Sequence, residues 1–101
     1  MRLKGEKPRP IDRDGAESLS LSALAFLAED VARLTRFMAL TGIEPQRLRE
    51  EAGTPAIQAA VLEHLLGDES LLLTFAANAR VAPPLVSSAH QLLAAELGEG
   101  Q

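Results

Sequence analysis

At 101 residues the chain has room for one domain and one core. Apolar residues make up 47%, yet only three are aromatic (Phe26, Phe37 and Phe75), so the core must be built from Leu, Ala, Val and Ile, a palette that favours helices over strands. With no cysteine and two histidines, disulfides, thiolate nucleophiles and cysteine-based zinc sites are excluded, no structural metal site is expected, and the net charge is −4.

That charge is unevenly spread. Residues 1–13 hold five basic and two acidic side chains, or +3, and the remainder holds five basic and twelve acidic, or −7. The acidic body repels phosphate backbones, so a nucleic-acid role would have to reside in the basic arm. The stretch "MRLKGEKPRPIDRDG" shows no apolar periodicity, and residues 1–15 are expected to form a flexible, solvated arm. A sharper alternative makes the arm a tether for an acidic surface.

From there the chain reads as consecutive helices. The first runs from about Ala16 to Ala28, with Leu19, Ala23, Phe26 and Leu27 at helical spacing. Asp30 looks like the N-cap of a second helix carrying Leu34, Phe37, Met38 and Thr41 on one side, and Gly42, able to take a positive φ, ends it. Pro45 suits the first turn of a short third helix that Gly53 closes. Thr54-Pro55 opens a fourth that Gly67 closes, and Asp68 caps a fifth with Glu69 beside it. A sixth runs from Pro83 to about Leu97. No run alternates at period two, so the expected fold is all-α: a compact array of five to six short helices over residues 16–98, with 99–101 a flexible C-terminus.

The fourth helix is apolar nearly all round, with Gln58 and Glu63 as its polar residues, and is expected to be the buried central post. In the fifth, Leu71, Leu72, Phe75, Ala76 and Ala79 make one broad face. Leu73 points elsewhere, so either a neighbouring helix covers it or it leaves an apolar spot where a partner would bind. Leu85, Val86, Ala89, Leu92 and Leu93 form a stripe expected to close the sixth helix onto the fourth and fifth.

The stretch "FAANARVAPPLVSSAHQLL" has the cadence of a helix-turn-helix. Its turn, however, places Arg80 where a glycine is usual, at a cost on the order of 1 kcal/mol in a left-handed conformation. The helix that would read bases carries no Lys or Arg from Pro83 to Leu97.

Candidate chemistry is sparse. His64 lies within the apolar arc of the fourth helix, where a general base or ligand could sit, but a neutral, hydrogen-bonded core histidine is the plainer expectation. His90 lies at the edge of the apolar face of the sixth. The carboxylate pairs Glu29-Asp30, Glu50-Glu51 and Asp68-Glu69 fall at helix ends, where Asp30 and Asp68 are accounted for by capping. No phosphate loop, dinucleotide fingerprint or nucleophile elbow is present.

At "ALAFLAED", "RFMALTGIEPQRLRE" and "AAVLEHLLGDESLLLTFAANA" the sequence resembles a family of small alphaproteobacterial proteins known as domain of unknown function 3572, over about Ser22 to Leu93. The resemblance implies an all-helical bacterial protein and brings no assigned catalytic or binding residues.

The expected function is therefore a non-catalytic protein–protein interaction module with no cofactor and no metal. Its candidate surface comprises Leu73, Val86, His90 and Leu97, and its partner is another protein or a second copy in a homodimer. One alternative is a nucleic-acid-associated regulator acting through the basic arm, although nucleic acid is not the expected partner. Another is a helical domain that holds a small apolar ligand between helices. No segment approaches the eighteen or more apolar residues of a membrane span, and "LSLSALAFLA", flanked by acidic residues, lacks signal-peptide grammar, so a cytoplasmic location without membrane contact is expected.

Overall fold

Helix α1 (Arg13–Ala28) starts three residues earlier than the apolar periodicity implies, because the Asp12 carboxylate caps it by accepting from the Gly15 backbone N–H at 2.7 Å. The computed structural model describes residues 11–98, so residues 1–10 of the expected arm and 99–101 of the expected tail lie outside the described residues. Arg13, Asp14 and Gly15 belong to the helical body and not to the arm.

Five more helices follow: α2 (Val31–Thr41), α3 (Pro45–Glu51), α4 (Pro55–Leu66), α5 (Glu69–Ala79) and α6 (Pro83–Gly98). Among the described residues there is no strand. The polar punctuation acts where the sequence places it. Asp30 accepts from the Ala32 and Arg33 amides, Thr54 from Ile57 and Asp68 from Leu71, each satisfying a first-turn donor that has no partner inside its helix. Gly42 ends α2 at φ 76°, a conformation that favours glycine. Helix α3 stops at Glu51 with Ala52 as its cap, one residue before the glycine expected to close it.

Helix α5 ends on Arg80 at φ 58° and ψ 45°. The Val81 amide reaches back to the Ala76 carbonyl at 3.0 Å, the long bond of a Schellman-type ending, which is why the left-handed residue is needed. Here the strained turn read from the sequence is present, with an arginine in it.

Helix α4 is the central post. Ile57, Gln58, Ala59, Val61, Leu62 and Leu65 are all buried, enclosed mainly by α6 and α1, with α5 and α2 at its sides. Gln58, one of the two polar residues noted on this helix, is 1% exposed. At 100° per residue it falls about 20° from Leu65 and about 40° from Leu62, inside the most enclosed arc of the helix. Its side-chain amide donates to Glu17 Oε2 of α1 at 3.4 Å.

Helices α1 and α6 are in contact along much of their length. Arg13 at the start of one pairs with Glu96 at the end of the other, so they run antiparallel. The α6 stripe of Val86, Ala89 and Leu93 therefore closes onto α4 and α1; its contact with α5 is slight, contrary to the expectation from the pattern. Phe26 and Phe75 bring α1 and α5 together with ring centroids 5.5 Å apart, and the Arg33 guanidinium lies 4.3 Å from the centre of the Phe26 ring.

Two stability outcomes follow from this packing. Leu62→Ala is expected to lower the free energy of unfolding by about 2–5 kcal/mol, whereas Leu73→Ala, at a half-exposed site, should change it by under about 0.5 kcal/mol; urea midpoints compare the two. Arg80→Gly should raise stability by about 0.5–1 kcal/mol, because glycine relieves the left-handed strain and the exposed arginine side chain makes no hydrogen bond among the described residues; a lowered midpoint would contradict that account of the turn.

Candidate interaction surface

The four side chains singled out from the sequence have different fates. Leu73 on α5 is 49% exposed, so no neighbouring helix covers it. Leu97 is 45% exposed: it continues the Val86–Leu93 stripe by one turn, but does so where α6 runs out beside the first residue of α1. Val86 is fully buried and leaves the candidate surface; it shares the face of Ala89 and Leu93 that is pressed against α1 and α4. His90 is partly covered, with Nε2 3.7 Å from Glu63 Oε1, so the structure pairs it with α4 and not with another of the four.

A more concentrated feature lies where sequence reasoning did not look. Between α2, the second half of α4 and the start of α5 runs an open groove of about 750 Å³. Arg36, Leu40 and Thr41 form one wall, Ala60, Glu63 and His64 the floor, and Gly67, Asp68 and Glu69 the far end. The floor follows from the helical wheel. Ala60, Glu63 and His64 span about 100° of α4, a sector less buried than the one carrying Val61, Leu62 and Leu65.

Leu40, 64% exposed, rises at the edge of this groove. The α2 stripe of Leu34, Phe37 and Met38 turns inward, and Leu40 lies about 60° round from Phe37, just outside the buried arc. An apolar residue at the margin of an amphipathic stripe was the available signal. Thr41 is occupied locally: its hydroxyl donates to the Phe37 carbonyl at 2.7 Å and accepts from the Ile43 amide at 3.2 Å.

His64 is the most perturbed group in the groove. Its ring meets Phe37 edge-on with centroids 5.2 Å apart, and Nε2 is buried with no hydrogen-bond partner among the described residues. The expected hydrogen-bonded core histidine is instead an aromatic contact at the edge of the core. Burial pushes its pKa below the ordinary 6.5 and the Arg36 charge adds to that, while Asp68 opposes it. Among the described residues, no group of three or more His, Asp or Glu side chains is close enough to hold a metal ion.

The direction of the His64 shift predicts a pH dependence. Because the folded pKa lies below the unfolded value of 6.5, the unfolded chain binds the proton more readily. Stability is then complete above about pH 6.5, falls as pH drops through that value, and levels off once the folded imidazole is itself protonated. Urea midpoints between pH 7.5 and 5.5 should fall for the natural chain and stay flatter for His64→Gln; parallel profiles would refute the assignment.

Among curated proteins and among solved structures nothing matches the chain. The profile of the family described as Protein of unknown function (DUF3572) does match, over residues 13–96, from the first residue of α1 to the last turn of α6, and the chain belongs to that family.

Proposed function

We propose that this chain is a non-catalytic protein–protein interaction module, its partner being another protein or a second copy of itself. The observation that carries this reading is Leu40, a large apolar side chain left 64% exposed at the rim of a groove open enough to admit a peptide-sized segment. Exposed leucines that stand alone need no explanation; one beside a concave surface offers apolar area that a seated segment can remove from water. Leu73 and Leu97 are exposed apolar side chains outside the groove.

The polar groups of the groove suit binding better than catalysis. The Thr41 hydroxyl is turned to the backbone of its own helix, Asp68 caps α5, and His64 faces Phe37, so no nucleophile is aligned with a base. A non-catalytic role without cofactor or metal belongs to the same proposal.

The test compares the natural chain with Leu40→Ser as immobilised bait in extract of the cells that encode it, alongside sedimentation of each protein alone. A partner, or a self-associated species, that is retained by the natural chain and lost by at least about tenfold in Leu40→Ser at unchanged thermal stability is the expected result, since truncating one anchor removes about 1–2 kcal/mol or more. A strict monomer that retains the same proteins in both forms would overturn the proposal.

A further inference from the structure

The charges around the groove restrict what it can receive. Glu63, Asp68 and Glu69 face it with three carboxylates, and among the described residues Arg36 is the one guanidinium on its walls. His64, kept uncharged near neutral pH by burial, adds nothing to the positive side. The Glu63 side chain is largely exposed although His90 Nε2 lies 3.7 Å from it, and Glu69 is exposed at the far end, so a visitor can reach both carboxylates. The sign differs by wall: α4, Asp68 and α5 carry only the acidic charges Glu63, Asp68 and Glu69, whereas α2 carries Arg33 and Arg36, of which Arg36 lines the groove.

Taking the interaction reading above as its basis, we infer that the α2–α4 groove receives a short basic and apolar segment of a partner protein, one that lays an aliphatic side chain against Leu40 and Ala60 and sets lysine or arginine groups beside Glu63 and Glu69. The apolar contact provides most of the grip, because Leu40 loses its water on binding. The carboxylates select the sign of the partner and speed its approach, as rim charges do. An acidic segment would meet three like charges and a single arginine.

The probe is a twelve-residue amidated peptide of leucine and lysine at helical spacing, titrated into the full-length isotope-labelled protein and followed by NMR. Two control peptides replace every lysine by glutamate or every leucine by serine. The lysine–leucine peptide is expected to shift resonances of Leu40, Ala60 and His64, and each of Glu63→Gln and Glu69→Gln should weaken it about two- to fivefold, an effect that shrinks in high salt. Asp68 is left intact because it caps α5. The glutamate and serine peptides should each bind at least about tenfold more weakly.

Equal binding of the glutamate peptide would overturn this inference while leaving a Leu40-dependent interaction module standing. Concentration-dependent shifts at Leu40 without any peptide would also overturn it, by making a second copy the occupant. No shift at Leu40 up to millimolar lysine–leucine peptide rejects the basic segment outright; the bait comparison with Leu40→Ser then decides separately whether the broader proposal survives.

Discussion

A helix without a continuous polar face has to be enclosed, and α4 imposes that requirement on the rest of the chain. Six of its twelve residues are buried, among them Leu62 and Leu65 with no exposure at all. Side chains of this kind each gain about 1.5–3 kcal/mol when fully removed from water, so the arrangement that covers the most of α4 is strongly favoured. Two sixteen-residue helices, α1 and α6, provide most of that cover, while the shorter α2 and α5 fill the flanks. All six helices contribute to the resulting cluster, from Ala16 to Leu93.

Short helices can be arranged in this way only if their ends are individually satisfied. Each leaves unpaired amides at its start and carbonyls at its end, and links of a few residues give little chain with which to bury the defects. Asp12, Asp30, Thr54 and Asp68 meet the need at four starts. The left-handed residues Gly42 and Arg80 turn the chain sharply at two ends. Arg80 shows what the packing demands locally: the turn back from α5 into α6 is held by the Val81–Ala76 bond even though the residue in it carries a Cβ.

The helices and most of their caps were legible from sequence because both are local signals. Capping residues lie within three positions of the amides they serve, and Leu19, Ala23, Phe26 and Leu27 repeat at a helical period. What could not be read was how the helices share their faces. Gln58 looks like a surface residue by type, and where it is buried its amide N–H donates to Glu17, forty-one positions away. Val86 and Leu97 occupy one stripe of α6 and meet opposite fates, since the covering helix begins at Arg13 and leaves the last turn uncovered. The family match, which spans residues 13–96, follows the same bounds as the helical body.

The groove is a consequence of these constraints, and it couples surface to core. The broad apolar arc of α4 is buried, the sector of Ala60, Glu63 and His64 lines the groove, and α2 meets that sector through the Phe37–His64 contact. Phe37 is fully buried, and its ring edge meets the His64 imidazole. A segment seated on the groove floor would therefore press on a side chain already packed against the core, and packed interiors transmit displacement instead of absorbing it. Binding there and the free energy of folding are consequently linked: whatever occupies the groove only in the folded chain must also stabilise the α2–α4 contact that forms its walls.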